Sequence, residues 1–433
     1  MSRFSQFLFF TLGAAFLMGV LGIAAVDVGA QQDKKVKKDA KKDKDKVVDK
    51  DKAPEKDKDA VKDKDKGPEK DKVADKDKKD KKDDKDKKEE KKVEFKADTP
   101  AQEFKYVADK DKTHWVQAVA FGPGGKTVAA TYRDRTIKIW DLAAKKESQT
   151  LKGPAKDAKG LAEYRSIVFA GDQVFVGTGW WDDKKKARQG EIRSWDSKSG
   201  KQGKGLTGHA QDVEGLAISK DGKSLASASE DNTALIWNLA EGKTTQTIKG
   251  HTDFVTSVSF NPEGTQVVTT SKDKTLRVWD VAGAKEIANF KVEREVEIKD
   301  AKGKVTKQKE LGREFTHAVF SSDGKKVIAG NLDGAIKFYD VEGKKEEREL
   351  KAHEGVWALA LSPDGTKLAT GGWDGTIKIW NVADGKDLKT IKAHPNPSDP
   401  FRGGTVTSVS FSSDGQWLAS GSIDGTVRIW SVK

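Results

Sequence analysis

Three stretches of the chain are copies of one pattern: HAQDVEGLAISKDGKSLASASEDNTALIWN (209–238), HTDFVTSVSFNPEGTQVVTTSKDKTLRVWD (251–280) and HEGVWALALSPDGTKLATGGWDGTIKIWN (353–381). Each reads as an alternating strand, a polar turn, a second strand ending in small residues, a short turn with Asp, and a third strand ending in an aromatic. The terminal aromatics are Trp140, Trp195, Trp237, Trp279, Tyr339, Trp380 and Trp430, spaced 55, 42, 42, 60, 41 and 50 residues apart. A unit of about 42 residues thus occurs seven times with three insertions. In six units an Asp stands six residues before the aromatic: Asp134, Asp231, Asp273, Asp333, Asp374 and Asp424. Apolar positions repeat in the same register, with Val255, Val258 and Phe260 answered by Val356, Leu359 and Leu361. No single unit hides such a surface, so the units must stack, and a closed ring leaves no end exposed. The last unit stops after its third strand, whereas 103–108 (EFKYVA) is a strand without a unit. It is predicted to complete the last sheet, pair the two ends of the fold and remove the open edge.

On these residues the chain resembles the WD40 repeat proteins over roughly 103–433, with Gly-His at Gly208-His209 and Gly250-His251 and Trp-Asp at Trp140, Trp195 and Trp279. The resemblance implies an all-β fold, a seven-bladed WD40 β-propeller of four-stranded blades occupying 99–433. It also implies a hydrogen-bonded network within a blade that joins the His, a Ser or Thr of the second strand, the turn Asp and the third-strand Trp. The complete sets here are His209, Asp231 and Trp237; His251, Asp273 and Trp279; His353, Asp374 and Trp380; His394, Asp424 and Trp430. Units 2 and 5 lack the His, and His114 sits only two residues before Val116, so blades 1, 2 and 5 are expected to be less rigid.

The part of the chain before the repeats is of another kind. Between Asp33 and Lys92 there are 27 Lys and 21 Asp or Glu and no aromatic residue. Such a stretch cannot offset its ordering entropy by burial, so 31–98 is expected to be a disordered charged linker. Its signs alternate almost residue by residue, and the formal charge of +12 divides equally between the tract and the rest of the chain. A polyanion therefore meets Asp nearly as often as Lys, which argues against nucleic acid as a partner. Ahead of the tract, Arg3 precedes an uncharged run from Phe7 to Val26, followed by the small residues Val28, Gly29 and Ala30. This reads as a signal peptide or an N-terminal anchor within 1–30, with 7–26 the only candidate for membrane attachment and an exported location: periplasmic, envelope-tethered or secreted.

Catalytic chemistry has few candidates. The absence of Cys removes thiolate metal sites and Cys nucleophiles, and only six His are present. GxSxG, HExxH, phosphate-loop and EF-hand spacings are absent from the sequence. The His and Asp recur in structural register, which fits blade-holding better than catalysis. The Asp-Gly pairs at 221–222, 323–324, 364–365 and 414–415 are hairpin turns that need positive φ, without the further carboxylates of a calcium loop. The expectation is no enzyme, no cofactor and no metal.

Binding is the better-supported role. The resemblance places the partner surface on the face formed by the entrances to the first strands and the turns between second and third strands. The residues there that suit contact are Trp115, Arg133, Arg165, Trp181, Phe254, Lys272, Trp357 and Trp373. In a closed ring units 6, 7, 1 and 2 are neighbours, so their Trp residues are expected to form an arc, and aromatic anchors dominate interface energetics. Three insertions fall on the same face: WWDDKKKARQGE (180–191) with its basic Lys184–Arg188 loop, a charged hairpin over 292–311, and HPNPSDPFRGG before unit 7. The chain reads as a monomeric protein-interaction scaffold in the cell envelope or secreted space. The alternatives are an envelope module binding glycan or anionic polymer, for which the basic loop beside two Trp is suited, and a propeller enzyme with a His- or carboxylate-lined channel.

Overall fold

A computed structural model describes residues 99–106, 114–153, 163–299, 303–395 and 404–432. Residues 1–30, read as a signal or anchor segment, and 31–98, read as a charged linker, lie outside the described residues. Among the described residues no helix is long and apolar enough to cross a membrane.

Seven four-stranded antiparallel sheets follow one another as blades, with an extra two-stranded hairpin, Glu293–Lys299 paired with Val305–Leu311, between blades 4 and 5. Six blades take their strands in chain order. The seventh is built from Val406–Phe411, Trp417–Ser422, Thr426–Ser431 and, as its outer strand, Gln102–Lys105 from the other end of the fold. That strand pairs antiparallel in the register Gln102↔Ile429 to Lys105↔Thr426. The closing strand is thus the expected one, shifted by one residue at its start and ending at Lys105 rather than Ala108.

Alternation explains why the ring closes. The second and third strands of each blade bury residues on both faces, and the buried apolar side chains sort into seven clusters, each filled by two neighbouring blades. Between blades 3 and 4, for instance, Ala226, Ile236 and Ile248 meet Val255, Val258, Val267 and Trp279. Between blades 7 and 1, Phe104, Val427 and Ile429 meet Val116, Val128 and Trp140. The terminal aromatic of one blade is therefore the plug of the interface with the blade before it.

Two devices shape the ends of the blades. The first-to-second turns carry Gly222, Gly324, Gly365 and Gly415 at φ between 66° and 71°, a left-handed geometry suited to glycine. In six blades the first strand also carries a bulge at Gln117, Glu214, Thr256, Thr316, Trp357 or Thr407. A bulge re-aims the extra residue, and here it does so at the entrance of each first strand.

Candidate functional site: the loop face of the ring

Four blades carry a complete polar relay. In blade 3, His209 Nδ1 lies 2.9 Å from Asp231, its Nε2 lies 2.7 Å from Ser227 Oγ, and Trp237 Nε1 donates to the same hydroxyl at 2.8 Å. Blade 4 repeats this with His251, Asp273, Thr269 and Trp279 at 2.8, 2.7 and 2.8 Å. Blade 6 uses His353, Asp374, Thr370 and Trp380 at 3.3, 2.9 and 2.9 Å, and blade 7 uses His394, Asp424, Ser420 and Trp430 at 3.0, 2.8 and 2.9 Å. The only assignment that uses every proton once runs Trp N–H to hydroxyl, hydroxyl to Nε2, and Nδ1–H to carboxylate. Asp231 also accepts from the Ala210 and Thr233 backbone N–H groups, which fixes the turn.

These hydrogen bonds hold Asp231 and Asp424 down at about 2, and Asp374 and Asp273 below the usual carboxylate range, against the opposing effect of burial. The resulting Ser-His-Asp arrangement looks like a hydrolase triad, but Ser227 and Thr269 are fully buried and already bonded to Trp. A substrate has no route to the hydroxyl. Thr269→Val keeps the branched shape and strips partners from two buried donor or acceptor groups. It is expected to cost about 2–4 kcal/mol in urea unfolding, with the blade 4 amides losing hydrogen-exchange protection first.

Blades 2 and 5 have no His at this position, blade 1 has His114 Nδ1 3.6 Å from Asp134 without the full relay, and in all three rings fill the space. In blade 1, Phe104 stacks on Trp140 at 5.3 Å and Tyr106 packs on Tyr132 at 4.8 Å, while the Tyr106 hydroxyl donates to Asp134 at 3.0 Å. In blade 2, Tyr164 meets Trp195 edge-on at 6.1 Å. In blade 5, Phe290 and Phe315 flank Tyr339 at 4.6 and 6.0 Å. Gly312 stands there where other blades have His, and Asp333 is engaged instead by the Arg313 N–H at 2.6 Å and by Arg294 of the inserted hairpin at 3.2 Å.

A second repeat feature escaped the sequence reading. Two residues before the aromatic, six blades carry a cation: Lys138, Arg193, Arg277, Lys337, Lys378 and Arg428. Five reach an acid on the outer strand of their own blade: Glu147 at 2.6 Å, Glu286 at 2.9 Å, Glu349 at 2.7 Å, Asp387 at 3.7 Å and, through the closing strand, Glu103 at 2.8 Å. A Lys or Arg two residues before six of the seven aromatics was the available signal.

In six of the seven blades the loop face is built by one backbone bond. Arg133, Glu230, Lys272, Leu332, Trp373 and Ile423 each donate their N–H to the carbonyl of Trp115, Asp212, Phe254, Glu314, Gly355 and Thr405, respectively. The second-to-third turn is thereby clamped beside the entrance to the first strand, and the two side chains become neighbours. Arg133 lies over the Trp115 ring at 4.5 Å and Lys272 over Phe254 at 4.4 Å. Trp357 and Trp373 pack at 5.9 Å with their rings tilted by 33°, and Arg313 lies over Trp373 at 5.0 Å, making one aromatic platform on blade 6. Trp115, Trp357 and Trp373 are half-buried, whereas Trp181 is exposed. Blade 7 presents Thr405, Thr407 and Ile423 between the platform and Trp115.

The first insertion differs in form from its sequence outline, and the second is the charged hairpin expected. The stretch 180–191 is a prolonged hairpin: the ladder continues from Gly177↔Ile192 to Asp182↔Ala187, with Trp181 opposite Arg188. Arg188 turns away from the basic loop to clamp the buried Asp212 through two bonds, at 2.8 and 2.5 Å. The hairpin between blades 4 and 5 carries Glu293, Glu295, Lys307 and Lys309 in cross-strand pairs. Most of the insertion before unit 7 lies outside the described residues. Among the described residues, no group of His, Cys, Asp and Glu is arranged to hold a metal ion.

The family model described as "WD domain, G-beta repeat" matches five segments: 107–141, 200–238, 242–280, 344–381 and 385–431. The unmatched units are the second and fifth, where Tyr164 with Trp195 and the Phe290–Tyr339–Phe315 stack replace the His relay. Five matched repeats, seven blades and the relay in four of them lead to one conclusion: the chain is a WD40 repeat protein, folded as a seven-bladed β-propeller.

Proposed function

We propose that the protein is a non-catalytic scaffold that docks a protein partner on its loop face, and that it does so outside the cytoplasm on a charged tether. WD40 propellers are generally protein-interaction scaffolds. The observation that carries the surface assignment is the Trp357–Trp373 platform with Arg313 on it, large rings held by the backbone clamp of blade 6 rather than buried in an interface between blades. Rigid aromatic anchors with an arginine are the usual composition of an interface hot spot. The apolar run 7–26 and the Lys/Asp tract support the extracytoplasmic placement.

The test is capture of partners from envelope extract by the full chain, with variants on both faces of the ring. Trp357→Ala with Trp373→Ala is expected to weaken capture by about thirtyfold or more at any salt, whereas Lys185→Ala acts mildly and mainly at low salt. Undiminished capture by the double variant, with sensitivity on the opposite face, would reject the surface. Competition by polysaccharide but not by protein would favour the glycan-binding reading, for which Trp181 at 42% exposure beside the Lys184–Lys186 turn is the specific support.

A further inference from the structure

On the loop face at blades 1 to 3, four carboxyl groups meet three guanidinium groups. Arg133 is taken by Glu163 at 2.8 Å and Arg188 by Asp212. Arg165 is left between Glu214, at 2.6 Å, and Glu230, at 3.6 Å. Glu214 and Glu230 are each about 15% exposed and converge on the one Arg165 guanidinium, so a single positive charge faces two carboxyl groups. Burial and the Glu214 charge push the Glu230 carboxyl up to about 8, opposed by Arg165; Asp212, neutralised by Arg188, adds a small push upward. The recess is thus short of one positive charge, and a proton stands in for it. It is also short of one acceptor: Arg165 Nε is buried with no partner.

We propose that this recess receives a lysine or arginine side chain of a partner polypeptide, a reading that rests on the loop face being the docking surface. The incoming cation donates to Glu214 and Glu230 in place of that proton, which leaves to solvent, so charge balances. A rotation of the one-third exposed Arg165 side chain would turn its buried Nε toward the main-chain carbonyl beside that residue. A polypeptide supplies both groups at once, which a bare cation does not. A divalent ion would in addition face the Arg165 guanidinium 2.6 Å from one of its two carboxylates.

The probe is a capped glycine tetrapeptide carrying one Arg or one Lys, with norleucine as control, titrated calorimetrically into the full-length protein in two buffers of different ionisation heat. Binding of the Arg and Lys peptides with release of up to one proton is expected near neutral pH. Affinity should rise by up to about tenfold per pH unit toward pH 8. In Glu230→Gln, which mimics the protonated carboxyl and should fold as well, the release and the pH dependence vanish. In Glu163→Gln, which removes an equal charge nearby, both persist. Binding of the norleucine peptide, absence of binding, or equal proton release by Glu230→Gln would overturn the proposal. The two readings separate: if the Trp357/Trp373 variant captures partners normally while the peptides behave as expected, the platform assignment falls and the recess stands.

Discussion

Phe104→Ala is expected to lower the unfolding free energy by about 3–5 kcal/mol, the usual cost of emptying a buried aromatic site. Phe104 belongs to a four-residue strand, yet it packs with Trp140, Val427 and Ile429, and it alone from that strand joins the core of the last blade to the first. Without its anchor the strand has only its ladder to Thr426–Ser431 and the Glu103–Arg428 pair to hold it. Release would bare the edge of the third strand, an open template for pairing with other chains. The expected signature is a lower urea midpoint with concentration-dependent aggregation during thermal melting. Deleting residues 33–92 is expected to leave the midpoint of the fold unchanged. If both changes shifted it equally, the closing strand would not be what holds the ring together.

How much of this was legible in the sequence varies by kind of residue. The period was legible because His209, Ser227, Asp231 and Trp237 must be present together for the relay to work, so a unit that keeps one tends to keep all. The closing strand was legible because the last unit stops one strand short, and a ring tolerates no gap. Blade 2 was harder. Its second and third strands run to ten residues each, which helps stretch the spacing from Trp140 to Trp195 to 55, and its outer strand, after Trp195, is only Leu206–Thr207. Ring packing in blades 1, 2 and 5 was not legible, since Phe104 and Phe290 share an outer-strand position that holds Leu151, Ile248 or Ile391 in other blades, and Tyr164 comes from the segment before a first strand. Charge on the loop face was misread at Arg188. A Lys-Lys-Lys-Ala-Arg run looks like one solvated patch in sequence, but strand alternation sends Arg188 inward to Asp212. The continuity of the Trp arc was likewise overestimated, because Thr405, Thr407 and Ile423 separate the blade 6 platform from Trp115. The proposed docking surface is correspondingly smaller, centred on one blade and its neighbours.

The pH dependence of stability is the second large effect expected, and its two limbs have opposite signs. On the acid side, Asp231 and Asp424 sit at about 2 in the folded chain against 3.8 when free, and Asp273 and Asp374 are lowered in the same way by their His and Thr partners. A carboxyl depressed by folding contributes stability above its unfolded value and loses it as pH falls through the folded one. Each shift of about two units corresponds to about 2.5 kcal/mol, so the relays together should make the fold acid-labile between about pH 4 and pH 2. On the other side, Glu230 is raised by folding to about 8 from 4.5. There the unfolded chain releases its proton first, and stability declines as pH rises from the unfolded value toward 8. The two limbs leave a maximum on the acid side of neutrality. Urea midpoints measured across pH should show it, and single substitutions should take it apart. Asp231→Asn with Asp424→Asn lowers stability at neutral pH while flattening the acid limb. Glu230→Gln leaves the acid limb alone, flattens the decline toward pH 8 and raises the midpoint at neutral pH. A Glu230→Gln profile that still falls as steeply toward pH 8 would mean that the Glu214–Glu230 pair does not hold its proton, and the recess at blades 2 and 3 would then carry a full complement of negative charge.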